Sequence, residues 1–230
     1  MFISHKYKFI FLRTPKTASS SLSEFFIRNI PDKSAVYTPV EDSNIDGKGT
    51  EFLQKKYRKN FKYFHFTIED LIEENIITEE QAKTYRIISV LRNPIDRQKS
   101  FYYFYRKWKS KGWPASLTQY KLLAPEGFFA GEPNSAIRQS DFSRLNGEII
   151  GEHWLYEDLQ SHVNDFMQEL NLPISYPMPN HKSNYRKNKK DEIEFDDESL
   201  AKIKNVFAND FKLYNELKER RDASIKSLHT

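Results

Sequence analysis

Apolar positions along the chain follow two spacings, and the spacing predicts the elements. The runs at 7–12 and 87–91, apolar but for Lys8 and Ser89, have the length and content of interior parallel strands. Helical spacing appears at Leu22, Phe25 and Phe26, again at Leu159, Val163, Phe166, Met167 and Leu170, and again at Leu200, Ile203, Phe207, Phe211, Tyr214 and Leu217. These predict helices over 19–29, 157–170 and, as one long C-terminal helix, 197–221. Thr67 and Thr78, each followed by acidic residues, cap two short helices that end near Glu74 and before Tyr85. A further helix follows Pro94 to about Lys109. Residues 61–66 read as an aromatic strand that delivers His65 to its end, 135–145 as a polar helix, and 149–156 as another strand. Residues 32–50, with Pro39, Gly47 and Gly49 among turn-forming Asp and Asn, read as a surface excursion. Strands alternating with helices imply an α/β fold with a central, mainly parallel sheet flanked by helices.

Composition narrows the class. A chain of 230 residues with 38% hydrophobic content buries one sizeable core, so a single domain over 1–230 is expected. Aromatic residues at 15% argue against disorder. The net charge of +4 permits an anionic substrate and does not imply nucleic acid. With no cysteine there is no disulfide, thiolate metal site or cysteine nucleophile. No apolar stretch approaches the roughly 18 residues that span a bilayer, and residues 1–12 show no cleavable signal pattern. With Met1 as the natural start, a soluble cytoplasmic protein is expected.

The first candidate for chemistry is the break from the strand at 7–12 into Arg13, Thr14, Pro15, Lys16, Thr17, Ala18, Ser19, Ser20 and Ser21. Pro15 cannot continue a ladder, and the serines suit the cap of a helix beginning near Ser19. Free amides, the positive end of the helix dipole and one ammonium then converge on an oxyanion site. The same residues also suit an ordinary strand-to-helix connection with a solvated Lys16. The glycine-bounded lysine loop of nucleoside triphosphatases is missing.

The second candidate follows the strand at 87–91, where the chain passes into Arg92, the Asn93-Pro94 turn and a helix bearing Ser100. Ligands of open parallel sheets sit beyond the carboxyl ends of strands, so Arg92 is expected at the same edge as Lys16, with Ser100 turned back toward an anion held by Arg92. Arg92, Asp96 and Arg97 equally suit a local ion-pair network.

These two stretches resemble the sulfotransferases that use 3′-phosphoadenosine 5′-phosphosulfate, and most resemble the heparan sulfate and uronyl 2-O-sulfotransferases. Pro15 to Ser21 fits the family's 5′-phosphosulfate loop, and Arg92, Asn93, Pro94, Arg97 and Ser100 fit its 3′-phosphate motif. The run Phe101-Tyr102-Tyr103-Phe104 is similar to that of the 2-O subgroup. His65 stands where those enzymes carry a catalytic histidine, and the stretch from Asn180-His181-Lys182-Ser183 to Tyr214 resembles their closing loop and final helix. The resemblance implies a P-loop NTPase-like sulfotransferase fold. It also implies a donor of that kind, the product 3′-phosphoadenosine 5′-phosphate, and a hydroxyl-bearing, carbohydrate acceptor.

Sulfuryl transfer needs a neutralised leaving phosphate and a group to take the acceptor's proton. Lys16 with the amides of 17–21 suits the first task and His65 the second, while Arg92 and Ser100 suit the 3′-phosphate. His65 is otherwise a core histidine bonded to backbone, with Glu69 or another carboxylate as base. Arg13 and Lys182 are the candidate acceptor-binding cations. The scheme requires no metal, and the acidic and histidine residues show no metal-ligand spacing. A P-loop kinase and a non-catalytic anionic-glycan-binding module are the rival classes.

Overall fold

The computed structural model describes residues 1–57, 64–109, 137–181 and 194–227. The chain divides into two units, one of residues 1–91 with 139–181 and one of residues 92–138 with 182–230.

The first unit is built on a five-stranded sheet of order β3-β1-β2-β4-β7. Its strands are β1 (Phe2–Ser4), β2 (Phe9–Phe11), β3 (Val36–Tyr37), β4 (Arg86–Leu91) and β7 (Glu152–Leu155). Strands β2, β4 and β7 run parallel, and β1 runs antiparallel to both of its neighbours. Register places Phe11 beside Ile88 and Val90 beside Trp154, so one sheet face is an aromatic and aliphatic layer. Helices α1 (Ser19–Asn29) and α6 (Leu159–Glu169) cover it through Leu22, Phe25, Phe26, Val163, Phe166 and Met167. Phe26 stands at the centre, its ring 5.3 to 5.8 Å from those of Phe2, Phe9, Phe11, Phe25 and Phe166. On the other face Ile10, Leu12, Ile87 and Leu91 are buried too.

The remaining elements of this unit are short. Helix α2 is Glu51–Tyr57, α3 is Ile68–Glu73 and α4 is Glu79–Thr84. Thr67 and Thr78 each make a full capping box with Asp70 and Gln81, as their spacing predicts. Strands β5 (Arg144–Leu145) and β6 (Glu148–Ile149) form a separate hairpin.

Four expectations are corrected in this unit. Residues 32–50 are not a mere excursion, because β3 completes the sheet edge and Thr38, Val40 and Thr50 are buried. Phe64 is helical and His65 and Phe66 are irregular, so no aromatic strand forms over the described part of 61–66. Residues 137–145 hold turns and β5 in place of a polar helix. The strand expected over 149–156 is split by Gly151, whose φ of 78° turns the chain between β6 and β7.

In the second unit, α5 (Pro94–Lys109) starts on Asn93, whose Oδ1 accepts from the amides of Ile95 at 3.0 Å and Asp96 at 3.2 Å. Asn93 is therefore its N-cap and Pro94 the first helical residue, where a missing N–H costs nothing. The long C-terminal helix expected over 197–221 is two helices, α7 (Asp197–Val206) and α8 (Ala208–Ser227), broken at Phe207. Phe207 anchors a small core with Phe195 and Ile203, against which Ile95 and Phe211 pack.

Candidate active site

The site in the first unit grows from the carboxyl end of β2. The Leu12 amide donates to the Ile88 carbonyl at 2.8 Å, carrying the parallel ladder one residue past the strand. Thr14 Oγ1 then donates to the Val90 carbonyl at 2.9 Å, and Thr17 Oγ1 lies 2.8 Å from the Thr14 carbonyl and 2.7 Å from Thr14 Oγ1. Thr14 gives its one hydroxyl proton to Val90, so that of Thr17 serves both Thr14 oxygens. Both threonines are buried, and together they stitch the loop to the end of β4 from within.

That stitching holds an unusual backbone. Lys16 and Ala18 have φ of 67° and 58°, a left-handed region that costs an L-residue about 1–2 kcal/mol. Left-handed Ala18 followed by helical Ser19 gathers successive N–H groups into a concave nest. The first bond within α1 runs from the Leu22 amide to the Ala18 carbonyl at 3.0 Å. The amides of Ser19, Ser20 and Ser21 therefore have no partner inside the helix.

The serines do not cap α1, which corrects the expectation. Ala18 occupies the cap position, and no side chain caps the helix. Ser20 Oγ instead accepts from Arg13 Nη2 at 3.2 Å, and Ser21 Oγ from the His181 amide at 3.1 Å. Three orphan amides at the positive end of an eleven-residue helix, with a half-buried lysine in the preceding turn, fit an anionic group such as a phosphate.

Arg13 sits beneath this loop, 4% exposed. Its Nη1 donates to the Pro39 carbonyl at 2.7 Å and lies 3.4 Å from Thr38 Oγ1, while Nε has no hydrogen-bond partner. Burial lowers its pKa to about 10, against the opposing pull of Asp42 and Glu41, so it stays charged at neutral pH. The guanidinium fastens residues 38–39 to the first turn of α1.

His65 joins the same loop through its backbone. Nδ1 is 2.6 Å from the Arg13 carbonyl, which can only accept, so Nδ1 carries the proton and Nε2 of the neutral ring holds the lone pair. The backbone bond belongs to the core-histidine reading, and the ring is half-buried. Glu69 Oε1, the other base considered, accepts from the Asn146 amide at 3.2 Å in the β5–β6 turn.

In the second unit Arg92 is 8% exposed and its Nε donates to Asp96. Asp96 and Ser100 stand one turn apart on α5. Arg97 is fully buried: Nη1 donates to the Ile137 carbonyl at 2.9 Å and the guanidinium lies 4.9 Å over the Phe101 ring. Lys182 and the residues after it to 193, residues 110–136 and the side chains of 105–109 lie outside the described residues.

Sequence reasoning missed Thr14, whose hydroxyl is what links the loop to β4, and Glu24, a 2%-exposed carboxylate on α1. Among the described residues no group of three or more His, Cys, Asp or Glu is placed to hold a metal ion, and no helix is long and apolar enough to cross a membrane.

A strand-loop-helix anion nest with a lysine, at the carboxyl end of a central strand of an α/β sheet, suits an enzyme that handles an anionic group. The model of the sulfotransferase family matches residues 1–215, and the chain belongs to that family: it is a sulfotransferase, an enzyme that moves a sulfuryl group from a sulfate donor to an acceptor. No curated protein and no solved structure matches it.

Proposed function

We propose that the donor is 3′-phosphoadenosine 5′-phosphosulfate and the acceptor a carbohydrate hydroxyl, with uronic-acid-containing glycans the first class to test. The observation that carries this reading is the left-handed Lys16–Ala18 turn opening onto the unpartnered amides of Ser19 to Ser21, with His65 bonded to the backbone three residues before Lys16. When bound, the donor supplies the activated sulfuryl group and departs as 3′-phosphoadenosine 5′-phosphate.

The chain's own residues divide the work. Pro15, Lys16, Thr17, Ala18, Ser19, Ser20 and Ser21 form the grip on the 5′-phosphate. Lys16 and the orphan amides supply positive charge where the leaving oxygen becomes negative. His65 Nε2 takes the proton of the acceptor hydroxyl, its ring held by the bond from Nδ1 to the Arg13 carbonyl. Arg92 and Ser100 are the residues assigned to the 3′-phosphate, the guanidinium as a planar donor and the serine as a hydroxyl. Arg13, buried and bonded to the Pro39 carbonyl and Ser20, braces the loop in place of the acceptor contact expected of it, and Lys182 is the cation assigned to the acceptor.

Calorimetry with 3′-phosphoadenosine 5′-phosphate and with ATP tests the donor. Preferential binding of the first is expected, and preferential binding of ATP would overturn the assignment. Transfer of radiolabelled sulfate over a panel of glycans tests the acceptor, and labelling of only non-carbohydrate hydroxyls would sink that part. In the same assay Lys16→Ala is expected to lower kcat by roughly 10²–10³. Wild-type kcat in that variant would remove Lys16 from the mechanism.

A further inference from the structure

We propose that Glu24 and His181 are positioning residues that fix the first turn of α1 for the donor. The inference rests on the reading that this turn holds the 5′-phosphate. Residues 175–181 run back along α1 from its end to its start. Asn29 Oδ1 accepts from the amides of Ser175 and Tyr176, both at 2.9 Å, and Asn29 Nδ2 donates to the Tyr176 carbonyl at 2.9 Å. The Arg28 guanidinium lies 4.6 Å over the Tyr176 ring. At the other end the His181 amide donates to Ser21 Oγ at 3.1 Å.

Glu24 joins the two ends. Its Oε1 accepts from Arg28 Nε at 2.7 Å and from Tyr176 Oη at 2.9 Å, and its Oε2 from His181 Nε2 at 2.6 Å and from the Ser43 hydroxyl. A carboxylate offers about four acceptor sites, and here four donors from α1, the 41–43 turn and the 175–181 segment fill them. The side chain is 3% exposed, so losing a donor leaves buried charge under-satisfied.

The consequence reaches the anion nest through one atom. Ser21 Oγ accepts the His181 amide and keeps its own proton to donate, beside amides that have no helical partner. With the His181 ring locked on Glu24, its amide is fixed, and so is the rotamer of Ser21. His181 touches no reacting atom in this scheme; it acts through Ser21.

The test is a double-mutant cycle on the full chain, read as the Kd for 3′-phosphoadenosine 5′-phosphate by calorimetry and as KM and kcat by donor titration. His181→Ala is expected to weaken binding roughly tenfold, raising the donor KM with kcat unchanged, and to have less than about a twofold effect in a Ser21→Ala background. His181→Gln, which keeps a donor at the Nε2 position, restores wild-type affinity. Asn29→Ala, at the far end of the same segment, lowers the thermal midpoint and leaves the Kd alone. Equal losses from His181→Ala in both backgrounds, or an equal loss from Asn29→Ala, overturn the proposal and leave the donor assignment intact. A wild-type chain that does not bind the nucleotide overturns the donor assignment itself.

Discussion

Ala18 carries a backbone conformation that only the surrounding bonds make tolerable, and its side chain is a single methyl group. Ala18→Gly is therefore expected to hold or raise stability, by up to about 1 kcal/mol, with nucleotide binding retained. Ala18→Val, branched in a left-handed position, should lose roughly 2 kcal/mol in urea unfolding. Equal midpoints for the two variants would contradict the strain. At His65 the two ring nitrogens are separable. His65→Asn keeps a donor near the Nδ1 position for the Arg13 carbonyl and removes the base, so kcat should fall by roughly 10²–10⁴ under conditions where chemistry limits, with nucleotide affinity near wild type. Full turnover in His65→Asn would remove the base assignment. The lysine and its hydroxylic neighbours were legible because adjacent residues make the motif. Arg13 was not: sequence shows a cation beside an anion loop, and only folding brings the Pro39 carbonyl and Ser20 to it. Glu24 was invisible for the same reason, since its partners Ser43, Tyr176 and His181 are 19, 152 and 157 residues away.

β4, α1 and α6 follow from apolar runs and helical spacing, α3 and α4 from their capping threonines and α5 from the Asn93-Pro94 turn, whereas α2, seven residues long, was not read from the sequence. β1 and β3, three and two residues long, are too short to show a period and are strands because neighbours pair with them. The β5–β6 hairpin did carry a local signal: Asn146 and Gly147 have φ of 52° and 86°, the two left-handed positions that a tight hairpin turn requires. The C-terminal helical face continues in register through Phe207, so its break at that residue has no counterpart in the spacing. Gly151 offers a prediction at this scale. A Cβ there would stand 2.5 Å from the Ile87 carbonyl oxygen at a φ of 78°. Gly151→Ala should cost roughly 2–4 kcal/mol, from left-handed strain and overpacking against β4. An unchanged urea midpoint would show that β7 does not need the close approach.

Across the first unit, acid should be the condition that loosens the fold. Burial pushes the Glu24 carboxyl up, but the bonds from Ser43, Arg28, His181 and Tyr176 outweigh it and hold the pKa at about 2, below the usual glutamate value of 4.5. Asp32 is likewise held well below its ordinary range: burial raises it, and Ser34, Ser4 and the Lys6 amide lower it further. A depressed carboxylate contributes stability that is fully present above its unfolded value and is lost as pH falls through its folded value. Stability is therefore expected to decline from about pH 4.5 toward pH 2, in the Glu24 window, with the Asp32 contribution lost later. In urea titrations over that range Glu24→Gln should start lower at neutral pH and decline less steeply. Parallel curves for variant and wild type would show that Glu24 is not the group being protonated.

The neighbouring placement of β2 and β4 has a further consequence. Everything between Leu12 and Arg86 departs from one strand and comes home to the next, tied there by the Leu12 amide and the Thr14 hydroxyl. The exposed turns of that detour can change in length while the two posts it hangs from stay where they are, whereas α1 and β3 within it belong to the core and to the sheet.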